Sequence, residues 1–452
     1  MKILLTTDTV GGVWQYSLTL AAALRQRDVA VALAVVGPPP AADQFAAALA
    51  VPGLDCHVYP GRLEWQPGCA ADLAESAAWL DDLARRLRVD LIHSNQFAYG
   101  ALRAGVPVIV VAHSDLLSWH AACDPLTAAT APAWRDHLMA YRAVVTAGLA
   151  GAAALVCPSH AMAADLAAHY AGGTRATVIY NGVAPAPTPT PAPTGGGELD
   201  NLIPQRAPLK GERELDDLTP HPPPLQGEGE IRSSSPPPVG AGVGVGAAGS
   251  AQRPLRVLSV GRLWDRAKGL DWLVEAVGPG LPGLEVAVAG DLAGPDGRGA
   301  ARLPPGIRAL GPLGHADLLG ALARADLYVG LSRYEPFGLA PVEAALQGCA
   351  LLLRDIPTFR ELWGTTATYC GSAAAVRAAL LAAAAAPALP RCAPARAARY
   401  SVARMAAAYL RLYDAVAGAR GQGPGARGQG SGIGDQGSGV LPPTVEGMST
   451  AT

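Results

Sequence analysis

The chain has 452 residues, too many for one ordinary hydrophobic core, so its length argues for two domains or more. A formal net charge of −2 removes any global electrostatic case for nucleic acid or an anionic membrane surface as partner. Half of the residues are apolar, but much of that fraction is alanine; the most apolar uncharged run, Ala143 to Pro158, is shorter than a membrane span and contains glycines.

In chain order, Met1-Lys2-Ile3-Leu4-Leu5 reads as the start of a buried strand rather than as a signal peptide. The strand over Ile3 to Thr6 is followed by a glycine turn and a helix from about Val13 to Arg25. Next come strand-like VAVALAVVG, helix-like DLAESAAWLDDLARRL, and strand-like DLIHS, PVIVVAHS, ALVCPS and ATVIYNG. Short, continuous apolar runs with helical partners between them predict parallel strands covered on both faces. This first block ends near Val183. Residues 184–254 are rich in Pro, Gly and Ser and predict a disordered linker.

From about Leu255 the rhythm returns, as RVLSVG, LDWLVEAV, LEVAVAG, IRALG, ADLLGALARA, LYVGLS, APVEAALQG, ALLLRD and AAAVRAALLAAAA. A last helix, VARMAAAYLRLYDAV, follows, and residues 418–452 repeat GARGQG-like units and predict a disordered tail. The fold class is therefore α/β, two doubly wound parallel sheets with a cleft at the carboxyl ends of their strands. The expected boundaries are 1–183, 184–254, 255–399, 400–417 and 418–452. The seven cysteines are dispersed, with no C-x-x-C pair, which argues against a zinc or redox motif and fits reduced thiols in a cytoplasm.

Three motifs sit just after predicted strands. Gly11-Gly12 lets backbone N–H groups approach a ligand, and the helix behind aims its positive end there, which suits a phosphate; an ordinary tight turn reads the same way. Gly261-Arg262-Leu263 with Lys268-Gly269 places two cations at a strand end, where they suit a diphosphate whose charge grows as a sugar leaves, although Asp265 can pair with them locally. Glu335-Pro336-Phe337-Gly338-Leu339-Ala340-Pro341-Val342-Glu343 is the most specific. Gly338 permits close approach of the main chain, a helix should begin near Leu339, and Glu343 on its first turns can accept hydrogen bonds from a diol such as ribose.

The last motif resembles glycosyltransferase family 4, of the GT-B fold, whose hallmark is two glutamates separated by seven residues around Phe-Gly-Leu. TTDTVGGVWQYSLTLAAAL, DLIHSNQFAYG, VVAHSD, ALVCPSHAM, VIYNGV, VGRLWDRAKGLDWLVEAV, SRYEPFGLAPVEAALQGCALLLRDIPTFRELWG and ARYSVARMAAAYLRLY all look like that family, in its order. The resemblance implies two Rossmann-like domains facing across a cleft, and a retaining, nucleotide-sugar-dependent transferase. It puts Gly11 and Gly12 under the donor diphosphate, Arg262 and Lys268 on it, Glu335 near the donor sugar's hydroxyls, and the main chain of Phe337, Gly338 and Leu339 on sugar and phosphate. Glu343 then holds the ribose and His113 lines the sugar site. Catalysis would fall to Glu335, His113, Arg262 and Lys268. In the family the last helix returns to the first domain; a linker of some seventy residues is a departure.

The expected donor is a UDP- or GDP-sugar, used without metal or other cofactor, since no Asp-x-Asp motif occurs. The acceptor, whether sugar, small molecule or lipid-linked, is left open, and a lipid acceptor would add a peripheral contact at the inner membrane face. Trp14, Trp65, Trp119 and Trp134 read as core or as a platform for it. A glucan synthase of the glycogen or starch type, a nucleotide-sugar epimerase and a non-catalytic sugar-nucleotide binder remain alternatives. A dehydrogenase is disfavoured, because G-x-G-x-x-G is missing after the first strand.

Overall fold

The apolar runs form two separate parallel sheets in the computed structural model of the chain, which describes residues 1–125, 131–170, 176–184, 253–294, 301–386, 389 and 394–418. The expected linker and tail therefore lie, apart from their margins, outside the described residues. The first half runs β1 (Lys2–Thr7), α1 (Gly12–Arg25), β2 (Ala30–Val36), α2 (Ala42–Leu49), β3 (Asp55–Tyr59), α3 (Ala70–Leu87), β4 (Leu91–Ser94), β5 (Val108–Val111), α4 (Leu116–Cys123), α5 (Pro132–Gly151), β6 (Ala154–Cys157), α6 (His160–His169) and β7 (Thr177–Val178). The second runs β8 (Leu255–Val260), α7 (Leu270–Val277), β9 (Leu284–Ala289), β10 (Ile307–Ala309), α8 (His315–Arg324), β11 (Leu327–Gly330), α9 (Leu339–Leu346), β12 (Ala350–Arg354), α10 (Pro357–Trp363), β13 (Thr368–Cys370), α11 (Ala373–Ala385), α12 (Pro394–Ala397) and α13 (Val402–Gly418).

The strand orders are β3-β2-β1-β4-β5-β6-β7 and β10-β9-β8-β11-β12-β13. Each sheet changes direction beside its first strand, between β1 and β4 and between β8 and β11. Ligands of open α/β sheets bind at such switch points, outside the carboxyl ends of the strands. The loops after β1, β8 and β11 carry the three motifs.

Period-two alternation of the strands divides the first core in two. Ile3, Leu5, Val31, Leu33 and Val35 face α1, while Leu4, Ala32, Ala34 and Val36 face α3, α5 and α6. In the second sheet, Val257, Val286 and Val329 meet α7 and α11, and Leu258, Tyr328 and Leu353 meet α8, α9 and α10. α13 belongs to the first sheet's core although it follows the second sheet in sequence. Met405, Ala406, Tyr409 and Tyr413, spaced three and four apart, pack against Trp14, Tyr16 and Leu5. The passage is fastened where the Val183 N–H donates to the Tyr400 carbonyl at 2.8 Å.

β3, α2, α4, α5, α6, α10, β13 and α12 are absent from the elements expected on sequence. β3 (Asp-Cys-His-Val-Tyr) is an edge strand with a partly exposed, polar pattern, so no continuous apolar run marks it. β7, read from a longer apolar stretch, is two residues long. Trp14 is core, while Trp65 is 39% exposed. Among the described residues, no helix is long and apolar enough to cross a membrane.

Candidate active site

A cleft of about 450 Å³ opens where the two sets of strand ends meet. All ten residues singled out on sequence line it: Gly11, Gly12 and His113 from the first half, and Arg262, Lys268, Glu335, Phe337, Gly338, Leu339 and Glu343 from the second. Gly11 takes φ +70° as the residue before α1, and a Cβ there would come within 2.9 Å of Arg262 Nη1. A Cβ on Gly12 would lie 3.3 Å from Leu339 Cδ1. The glycine loop of one sheet thus touches the arginine and the helix start of the other.

Two helices begin at this point without a side-chain cap, α1 behind Gly11 and α9 behind Gly338, which sits at φ +89°. Their first N–H groups lack intrahelical partners, so both ends present donors and a partial positive charge. The buried Phe337 ring packs 5.5 Å from Tyr400 and anchors the loop, leaving its main chain on the cleft side.

Both cations are held by carboxylates. Arg262 Nη2 lies 2.8 Å from Asp265 Oδ2, the local pairing that the sequence suggests. Asp265 opens a short 3-10 turn over Arg266–Lys268, and its Oδ1 accepts from the Ala267 N–H at 2.9 Å and from Trp119 Nε1 at 3.2 Å. Lys268 Nζ meets Glu335 Oε2 at 2.7 Å, and Ser332 donates to the same oxygen at 3.1 Å. Two cations therefore stand already placed at the cleft, each sharing its charge with one carboxylate.

Glu343 is 5% exposed, and burial pushes its carboxyl up to about 7. Its closest ionisable neighbour is His315 Nδ1 at 3.8 Å, beyond hydrogen-bonding range and pushed by burial toward its neutral form, and its carboxyl has no hydrogen-bond partner among the described residues. An unpaired acceptor so deeply buried, opening on a cleft, suits ligand hydroxyls. Burial holds His113 neutral, pushing it down to about 3. Its tautomer follows from Asn95. That amide's Nδ2 donates to the Thr6 carbonyl at 2.7 Å and to Ser17 Oγ at 3.0 Å, which leaves Oδ1 to face His113 Nε2 at 2.9 Å. Nε2 must carry the proton, so Nδ1 is an acceptor.

Sequence reasoning missed Asn95 and His315 as members of this site. His315 begins a helix soon after a strand, the same signature as the motifs above; Asn95 after β4 has no such mark.

Two parallel α/β sheets joined across a cleft, with the last helix returned to the first, define the GT-B class of two-domain Rossmann-like folds. Residues 10–186 match the model of Glycosyltransferase Family 4, and residues 254–386 match that of Glycosyl transferases group 1. Together the two cover about two thirds of the chain, which belongs to glycosyltransferase family 4. A glycogen synthase of Mycobacterium tuberculosis is 36% identical over 143 residues, 28% of this chain and 34% of the relative, so the match spans about a third of that protein's length. Among solved structures, HepE of Anabaena in complex with UDP and glucose superposes with a TM-score of 0.63 at 18% identity, covering 92% of this chain and 100% of its own. Sucrose-phosphate synthase of Thermosynechococcus elongatus gives 0.56 at 18%, covering 93% and 98%. At that identity these two likenesses speak to the fold.

Proposed function

We propose that the protein is a retaining glycosyltransferase that moves a hexosyl group from a nucleoside-diphosphate sugar, a UDP- or GDP-sugar, to an acceptor hydroxyl. The observation that carries this reading is the meeting of Arg262, Lys268 and the uncapped starts of α1 and α9 around one cleft. A leaving diphosphate gains negative charge as the C1–O bond breaks, and fixed donors aimed at that charge lower the barrier.

The reaction runs on the front face. The C1–O electron pair goes to the leaving phosphate oxygen. The acceptor hydroxyl bonds to C1 from the same side, and its proton passes to that oxygen. Glu335 holds sugar hydroxyls, His113 accepts one through Nδ1, and Glu343 accepts from the ribose diol. Two cations and two helix starts meet the charge, so no metal takes part, and a chelator leaves turnover unchanged.

The test is a thermal-shift panel of UDP-, GDP- and ADP-sugars, since a ligand that binds only the folded chain raises its melting temperature. No shift with any of them sinks the proposal. A second reading, a glucan synthase, is favoured by the likeness to glycogen synthase. Extension of a soluble glucan primer would establish it.

A further inference from the structure

Arg262 has a single hydrogen-bonded anchor among the described residues, the carboxylate of Asp265. Beyond that bond the side chain is 40% exposed, Nε is enclosed without a partner, Nη1 lies where a Cβ on Gly11 would come within 2.9 Å, and the guanidinium carbon sits 5.9 Å from the Trp264 ring centroid, a contact that fixes no hydrogen-bond direction. Where the arginine points therefore depends on how Asp265 is held. Asp265 is 7% exposed and takes three donors on two oxygens. Two of them, Arg262 and the Ala267 N–H, come from its own turn. The third is the indole N–H of Trp119, on α4 of the first half, 146 residues away in sequence.

α4 and its two capping residues, Asp115 and Asp124, reach the second half at three places. The Asp115 N–H donates to the Tyr334 hydroxyl at 3.0 Å, Trp119 donates to Asp265, and Asp124 pairs with Arg266 at 3.1 Å. The Asp124 pair is well exposed, so water screens it. Of the three, only the Trp119 bond ends on the group that holds a cleft cation. Trp119 also lines the cleft itself.

We infer that Trp119 is a positioning residue: by donating to Asp265 it orients the carboxylate that holds Arg262, so that the arginine is set for a diphosphate only while α4 lies against the second sheet. Grip on the ligand is thereby tied to closure of the cleft. A hydrogen bond between protein groups contributes little net free energy in an exposed setting, but a displaced guanidinium forfeits charge-assisted bonds to the ligand, which are stronger. The inference rests on the reading of the cleft as a nucleoside-diphosphate site.

The experiment is a double-mutant cycle on ligand affinity in the full chain. UDP, GDP and ADP are titrated by calorimetry into the wild type, Trp119→Phe, Asp265→Asn and the double variant. Phe keeps the ring and removes the N–H. Asn leaves one oxygen acceptor, which cannot serve Trp119 and Arg262 together. Trp119→Phe in the wild-type background is expected to weaken the bound nucleotide about five- to tenfold, and in the Asp265→Asn background by less than about twofold. Melting temperatures are measured alongside, because a purely structural effect lowers them and weakens the ligand equally in both backgrounds. Equal effects in the two backgrounds, or none in either, overturn the inference while leaving the function reading intact. Failure of the wild type to bind any of the three nucleotides overturns the function reading itself, and this inference with it.

Discussion

Glu343 illustrates how one buried carboxyl sets a pH dependence. Its folded-state value of about 7 lies above its ordinary 4.5, with burial as the cause, so the ionised form is disfavoured by folding. The destabilisation is absent below the ordinary value, grows as pH rises from 4.5 to 7, and is complete above 7. Glu343→Gln should raise the melting temperature at pH 8 and leave it nearly unchanged at pH 4. Ligand binding has the opposite slope, since a diol donates best to an ionised carboxylate. Nucleotide affinity of the wild type should climb as pH rises through about 7, and the Gln variant should flatten that climb; a titration series from pH 5.5 to 8.5 reads both. Arg262→Ala and Lys268→Ala test the charge argument. Each should lower kcat by about 100-fold, a larger effect than on folding, although each also lowers the melting temperature by leaving the Asp265 or Glu335 carboxylate without its cation. Near-normal turnover in both would contradict the assignment.

At the scale of elements, the parts legible in the sequence were those whose physics is local. β1, β2, β11 and β12 are largely apolar runs buried on both faces, β8 and β9 are apolar runs interrupted by one charged residue each, and the start of α9 is fixed by Gly338. The candidate site was legible for the same reason: each motif is a strand end, a glycine and a helix start within a dozen residues. What was hidden is tertiary. Glu361 of α10 receives the His160 and Ala161 N–H groups of α6, both at 2.9 Å, across 201 and 200 residues, and Ser159 Oγ donates to the Pro336 carbonyl at 2.6 Å. No periodicity announces such a pairing, and Trp119 with Asp265 is hidden in the same way. Glu361 acts as a borrowed cap, a carboxylate from one half on the positive end of a helix from the other. Glu361→Ala should therefore cost about 1 kcal/mol of stability, and Glu361→Gln, which keeps an acceptor, about half of that. Urea unfolding measures both, and equal losses would show that charge rather than hydrogen bonding does the work.

At the scale of the whole molecule, α13 is what makes two sheets one folding unit, because its apolar face fills the first core after the chain has completed the second. The contact is also polar. Tyr16 donates to the Tyr409 hydroxyl at 2.6 Å, and Tyr413 lies 2.6 Å from His93 Nδ1, a histidine that burial holds neutral at about 3. His113 packs edge-on to the same Tyr16 ring, 4.4 Å away, so the cleft histidine rests on the network that α13 completes. Two variants separate packing from hydrogen bonding. Tyr409→Phe removes only the hydroxyl and should cost about 1 kcal/mol. Tyr409→Ala empties a fully buried site and should cost about 3–5 kcal/mol, a large share of the roughly 5–15 kcal/mol that holds a domain folded. Because Tyr409 is not among the residues that line the cleft, Tyr409→Phe should leave donor KM near wild type, whereas Tyr409→Ala should lose activity in step with folded fraction. Should Tyr409→Ala unfold in a separate, earlier transition confined to the second sheet, with the first unaffected, α13 would not be the element that joins them.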